Sequence, residues 1–353
     1  MWARISAAAL IATALLAGEA RGQGSWTRMK PLPQGTNEVV GAVVDGLLYV
    51  YGGERERTAH VYGGGLKLRT QPLGMFWAYN PKTDSWSRLK GNPVPVQHAA
   101  AAAIGKKFYL FGGFRLPDTG KIGWYPEDKA WVYDTETQDW SELPPMPTPR
   151  GAEAAVPVGN KIYVVGGAKI PSGIELPDGL SPRGPVEILG TTEMFDTETN
   201  TWTALQPMTL PRNHHDIAHL DGKLYAIGGM VGSCFPSGWA SNVSMNEVYD
   251  IATNTWSTSA PMPTARSGIG AAVIDGKIYV IGGEGWVDES GRVVRTNEAY
   301  DPKSDRWVEE TPMPIARHGF AKGVLDSKIY VVSGVSLMHP MYSREALNVV
   351  YTP

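Results

Sequence analysis

A single cysteine, Cys234, in 353 residues excludes an internal disulfide framework, so apolar packing has to hold whatever fold this chain adopts. Neither sign of charge dominates: 32 Lys and Arg stand against 35 Asp and Glu, and no basic run occurs. A phosphate backbone selects clustered Lys and Arg, which argues against nucleic acid as the main partner. Beyond the N-terminus no apolar run is long enough to cross a bilayer. Neither G-x-S-x-G nor H-E-x-x-H is present, so the serine-hydrolase elbow and the helical zinc-peptidase signature are both missing.

Glycine (41) and proline (27) are abundant but scattered, and aromatic residues are plentiful, which fits an all-β chain with many tight turns better than a disordered one. The N-terminus has the layout of a secretory signal. Arg4 gives a positive start, residues 5–17 are apolar and small, and Ala20-Arg21-Gly22 offers the small residues a peptidase reads. The apolar stretch is short for an ordinary membrane span. Cleavage is expected after Gly22, or alternatively after Ala20, which leaves residues 23–353 as one domain of a periplasmic or secreted monomer.

An internal repeat decides the fold class. Tyr49, Tyr109, Tyr163, Tyr225 and Tyr279 each stand three residues before a Gly-Gly pair, and Tyr330 stands before a degenerate Ser333-Gly334. A second aromatic then precedes a Trp by seven residues at Tyr79/Trp86, Tyr133/Trp140, Phe195/Trp202, Tyr249/Trp256 and Tyr300/Trp307. From every such Trp, and from Trp26, the next Tyr is 23 residues away. Each copy holds four short strand-like runs separated by turns such as Asp45-Gly46 or Pro302 to Asp305. Six copies of four strands predict an all-β, six-bladed β-propeller. The last copy stops at Pro353 without its outer strand, whereas an orphan outer strand surrounds Trp26. The N-terminal strand is therefore expected to complete the last blade and close the ring. The repeat Trp side chains are expected to be structural and largely buried.

These residues resemble the kelch repeat: Gly-Gly after the second strand, an aromatic-Asp before the last turn, Trp on the outer strand. Met-Pro-x-x-Arg often follows, as in Met146-Pro147-Thr148-Pro149-Arg150, Met262-Pro263-Thr264-Ala265-Arg266 and Met313-Pro314-Ile315-Ala316-Arg317. The resemblance covers essentially all of the mature chain and implies a propeller scaffold, while a fold of this kind says little about activity. Copper enzymes similar to galactose oxidase use kelch-type propellers but need a Cys–Tyr cross-link, and no matching motif surrounds Cys234. Periplasmic sialate mutarotases are exported six-bladed kelch propellers of similar size. The resemblance thus leaves two readings open: a module that binds a glycan or a protein, or a sugar mutarotase or epimerase.

Strand parity marks the functional face. One face has short turns of fixed length, and the other carries every long insertion, at about 54–74, 114–129, 168–190, 230–245, 284–296 and 335–347. Long loops on a rigid scaffold are where binding groups usually sit. They hold Tyr62, Phe114, Trp124, Tyr125, Phe235, Trp239, Trp286 and Tyr342, which offer faces to sugars or protein partners or else cap the blade tops as a satellite core. Phe114, Trp124, Tyr125, Phe235, Trp239 and Trp286 are the candidate ligand-binding set.

The inner strands begin at the same face. Aligned on the glycine pair, they read Glu38-Val39, His98-Ala99, Ala152-Glu153, His214-His215, Gly268-Ile269 and Gly319-Phe320. Glu38, His98, Glu153, His214 and Asp216 are therefore candidates to ring the channel mouth, for acid–base work, polar recognition or simply a solvated lining. No cofactor or metal is expected. His215 and His219 share a strand face about 13 Å apart, and His214 and Asp216 about 6.5 Å apart would need help from His98 or Glu38. Arg150, Arg212, Arg266 and Arg317 recur at one repeat position, and Glu193, Glu247 and Glu298 at another in three of those same copies. That nesting suggests buried Arg–Glu pairs, within one copy or between neighbours.

Overall fold

The computed structural model describes residues 24–62, 65–120, 123–181, 184–235, 240–285, 292–336 and 343–353. The expected export signal lies outside them. Among the described residues six four-stranded antiparallel sheets repeat one pattern, and each sheet is a propeller blade. The inner strands are Val39–Val44, Ala100–Ile104, Ala154–Val158, Asp216–Leu220, Gly270–Ile274 and Ala321–Leu325, and each packs against the inner strands of the blades before and after it. Small residues such as Gly41, Ala101, Ala155 and Ala271 let these strands converge on the axis.

The second strand of each blade is apolar on both faces because both are covered by neighbouring blades. Lys277–Ile281 is buried from Ile278 onward, and so is the matching stretch of Lys223–Ile227. One apolar cluster fills each seam; that between the fourth and fifth blades joins Tyr225, Ile227 and Val248 to Ile278, Val280 and Tyr300. The sixth blade is built like the others because Ser25–Met29 pairs antiparallel with Asn348–Thr352, placing Trp26 opposite Tyr351. The two rings lie 5.0 Å apart, and Trp26 packs into the cluster between the fifth and sixth blades.

The repeat tryptophans are structural, as expected, though they differ in how deeply they are buried. Trp140 is buried, but Trp86, Trp202, Trp256 and Trp307 are only partly so. Each ring packs on the Tyr or Phe opposite it on the adjoining strand of its own blade, while its N–H edge reaches across the seam. The indole N–H donates to a carbonyl just past the outer strand of the preceding blade: Trp86 to Lys30, Trp140 to Lys90, Trp202 to Pro144, Trp256 to Gln206, Trp307 to Ala260 and Trp26 to Thr311, all at 2.7–2.9 Å. These six bonds run round the whole ring in one direction. Asp84, Asn254 and Asp305 add a second tie, each accepting from the same blade's Tyr hydroxyl and from a backbone N–H of the preceding blade.

The first insertion also differs from expectation. Residues 54–62 and 65–74 continue the second and third strands as a long ribbon, Leu47–Tyr62 against Gly65–Asn80, with two register shifts. The charged run Glu54-Arg55-Glu56-Arg57 reads as loop, yet the alternation after it suits a ribbon. Four later insertions begin as two-residue ribbons, for example Phe114–Arg115 with Tyr125–Pro126.

Two measurements check this account. Trp307→Ala should cost about 3 kcal/mol and Trp307→Phe about 1 kcal/mol, since the second keeps the ring contact and loses mainly the N–H bond. Equal losses in urea unfolding would remove the inter-blade hydrogen bond from the argument. Deleting residues 24–29 should strongly lower the melting temperature, because it exposes Asn348–Thr352 as an unpaired edge. An unchanged melting temperature would contradict the closure.

Candidate functional site: the channel mouth and the long-loop face

Just before each inner strand one residue turns into the left-handed region: Glu38, His98, Ala152, His214, Gly268 and Gly319, with φ between 52° and 62°. Three of these turns are fixed by a backbone relay between blades. Ala152 N–H donates to His98 C=O at 2.8 Å, His214 to Ala152 at 3.0 Å and Gly268 to His214 at 2.8 Å. Glycine adopts this conformation without steric cost, whereas Glu38, His98 and His214 hold it against one.

Their side chains lie across the mouth. The Glu38 carboxylate occupies the space over Gly319, where a Cβ would come within 2.6 Å of its Oε1. His98 Nε2 is 3.1 Å from Glu38 Oε2, and the His98 ring meets that of His214 edge-on with centroids 4.9 Å apart. His214 Nδ1 is bonded to Asn213 Oδ1. With its amide nitrogen turned toward His98, Gln97 donates to His98 Nδ1 at 3.2 Å and accepts from Trp124 Nε1 at 2.9 Å. That leaves the His98 proton on Nε2, facing Glu38. Burial drives His98 down to about 3 and His214 well below the ordinary imidazole value. Burial also raises Glu38, with His318 acting in the opposite direction.

Sequence reasoning missed His318, whose Nε2 stands 3.7 Å from both Glu38 Oε1 and Glu284 Oε2. It precedes a mouth position by one residue, where Asn37, Gln97, Asn213 and Ser267 are also polar. That row of polar residues was the available signal.

The other candidates do not join the mouth cluster. Deeper in the channel, Asp216 forms an ion pair with Lys322 from two blades further on and accepts from the N–H groups of Ile217 and Ala271 at 2.8 and 2.6 Å. Its carboxylate is fully engaged. Glu153 and His215 sit where Ile269 and Phe320 sit in later copies, and those positions face the preceding blade's glycine pair. Glu153 packs against Gly112, and a Cβ on Gly166 would come within 2.5 Å of His215 Cε1. A cavity of about 130 Å³ remains along the channel between these layers.

Among the loop aromatics, Phe114 and Phe235 are buried and Trp124 is half-buried between them, stacked at 5.1 Å on one and 4.3 Å on the other. Trp124 also lies 4.7 Å from His98, so it caps that histidine. Tyr125 carries the Arg115 guanidinium 4.5 Å over its ring. Trp239 and Trp286 lie outside the described residues, as does Tyr342. A second, wider cavity of about 650 Å³ opens between the loops of the second and third blades, lined by Arg115, Tyr125, Glu127, Lys169, Ile174 and their neighbours.

Comparison with known proteins agrees with this architecture. The KLHDC2/KLHL20/DRC7 Kelch-repeats domain matches residues 23–229, and the Kelch motif matches 211–263 and 265–314. The chain belongs to the kelch-repeat β-propeller family. Kelch-like protein terF of Aspergillus terreus is 30% identical over 259 residues, covering 72% of this chain and 53% of that protein. Kelch-like protein 15 of Danio rerio is 28% identical over 268 residues, covering 73% and 41%. Beta-scruin of Limulus polyphemus is 35% identical over 164 residues, covering 45% and 17%. The chain spans about half or less of the length of these relatives.

In this kelch propeller the repeated arginines are structural. Arg150 pairs with Glu193 at 2.8 Å, and Arg212 with Glu247 and Arg266 with Glu298 are likewise in contact, all buried and all within one copy. Of the two pairings open from the sequence, the same-copy one is found. Arg317, whose copy has Val349 at the glutamate position, donates instead to the carbonyls of Ser333 and Leu347 at 2.8 and 3.1 Å. None of these guanidinium groups reaches the mouth.

Glu153 gives a pH prediction. Burial raises it from the ordinary 4.5 to about 8. Between those values the unfolded chain has released this proton and the folded chain has kept it, so this contribution to stability is present below pH 4.5 and is lost as pH rises to about 8. Glu153→Gln should therefore become increasingly more stable than the wild type from about pH 4.5 to 8 in thermal melts. A difference independent of pH would show that Glu153 is ionised in the fold.

Proposed function

We propose that this kelch propeller is an exported binding module that takes a protein partner on its long-loop face. The observation that carries the reading is the state of the loop rings. A sugar-binding platform needs free aromatic faces, whereas among the described loop rings Trp124 is stacked between Phe114 and Phe235 and Tyr125 is covered by Arg115 on one side. The open concave surface lies instead between loops, at a volume ordinary for recognition sites. Kelch propellers typically serve as protein-binding scaffolds, which supports the same reading. The export signal of residues 1–22 adds the compartment.

The enzymatic alternative rests on the Glu38–His98 contact at 3.1 Å. With His98 depressed to about 3, its imidazole is a poor base at neutral pH, and Trp124 covers it.

Photo-crosslinking amino acids at positions 125 and 174, with matched controls at 136 and 253 on the short-turn face, test the binding reading in cells that make the protein. Discrete protein adducts should form at 125 and 174 alone. Adducts confined to the short-turn positions would contradict it. N-terminal sequencing of the mature protein should begin at Gln23 or Arg21; an intact Met1 would contradict export by this signal.

A further inference from the structure

The cavity between the second- and third-blade loops is a built groove. Its floor is fixed by the backbone bridge between Glu127 and Arg150, where Arg150 N–H donates to Glu127 C=O at 3.0 Å. Its two loops are fastened together by reciprocal bonds between Trp124 and Leu180, at 3.0 and 2.8 Å. Pro126, Pro149, Pro171 and Pro177 stiffen the walls and present no N–H groups. A preformed groove of this kind loses little conformational freedom when a ligand docks.

Its chemistry is lopsided. Ile170, Ile174 and Leu176 supply an apolar strip, and Ile174 is 45% exposed, one of two large hydrophobic residues so exposed among the described residues. Each cation at the groove is already neutralised: Arg115 by Glu127 and Asp118, and Lys169 by Glu187 at 3.3 Å. The side chains of Asp128 and Glu175 have no ion pair or hydrogen bond among the described residues. Two carboxylates without a salt-bridge partner, Glu175 and Asp128, the latter with only a longer-range attraction to Lys129, beside an exposed apolar strip favour a ligand bearing a cation next to a bulky apolar group.

We propose that this groove receives an extended peptide segment in which a Lys or Arg stands beside a Leu, Ile or Phe. The inference rests on the protein-binding reading and names the class of partner segment. The apolar side chain would cover Ile174 and Leu176, and the cation would meet Asp128 and Glu175. Arg115, already paired, would leave an acidic segment without a partner.

The test is selection of a phage-displayed random dodecapeptide library on the full mature chain, followed by titration of the best synthetic peptide. Enriched sequences should pair Lys or Arg with a bulky apolar neighbour. The double variant Asp128→Asn with Glu175→Gln should weaken binding about tenfold, as should Ile174→Ser, and raised salt should weaken binding to the wild type more than to the double variant. These three side chains are at the surface, and unchanged melting temperatures will confirm intact folds. Enriched peptides without a basic residue, equal binding to the double variant, or binding of an oligosaccharide array in place of peptides would each overturn the proposal. Selected peptides that crosslink at other long loops would overturn the groove assignment while leaving the protein-binding reading in place. Adducts confined to the short-turn face would remove both.

Discussion

One backbone hydrogen bond, repeated at five seams, sets the terms for the rest of this molecule. The second residue of the Gly-Gly pair donates its N–H to a carbonyl just ahead of the next blade's inner strand: Gly113 to Arg150, Gly167 to Arg212, Gly229 to Arg266, Gly283 to Arg317 and Gly334 to Thr36, all at 2.9–3.0 Å. The first glycine must let that carbonyl approach. A Cβ on Gly112, Gly166, Gly228 or Gly282 would lie 2.5–2.7 Å from it. At the join between last and first blades Ser333 replaces this glycine, and its hydroxyl donates to Thr36 C=O at 2.6 Å. The degenerate sixth copy is therefore adapted to its seam. Only between the first and second blades does the bond turn inward, from Gly53 to Glu38 C=O at 3.3 Å.

The repeated arginines make this stitch rigid. Each stitched carbonyl belongs to a residue whose side chain is anchored in its own blade; Arg212 and Arg266 donate to Ala226 and Val280 at 2.8 and 2.9 Å as well as to their glutamates. A buried guanidinium keeps its charge only with such partners. The first two copies lack both members of the pair, with Thr36 and Val96 at the arginine position and Trp77 and Trp131 at the glutamate position. Those two copies also carry Glu38 and His98, the two mouth residues in closest contact, while His214 and His318 join them from the fourth and sixth copies.

The 23-residue step from Trp to Tyr was enough to read the blade count and the closing strand, because both depend on repeat length alone. The Arg–Glu pairing was legible from co-occurrence, though not which copy's partner was used. The mouth was harder to read. Glu153 and His215 follow the mouth residue by one position, and that single step aims them between blades instead of at the axis. His318 and Lys322 acquire their roles from residues on other blades, Glu38 and Asp216, which no local pattern records. Nor could the sequence show that Phe114, Trp124 and Phe235, drawn from two loops, would spend their faces on one another. Register along a strand is written in the sequence, but contact across a ring is not.

The same stitch at five of the six seams, the closing seam among them, holds the blades together as the ring on which the long loops are displayed. Native-state hydrogen exchange followed by NMR at the amides of Gly113, Gly167, Gly229, Gly283 and Gly334 tests it directly. The account predicts that all five exchange together, in the slowest class and only on global unfolding. A Gly334 amide that exchanged orders of magnitude faster than the other four would show a seam that opens by itself, and would contradict it.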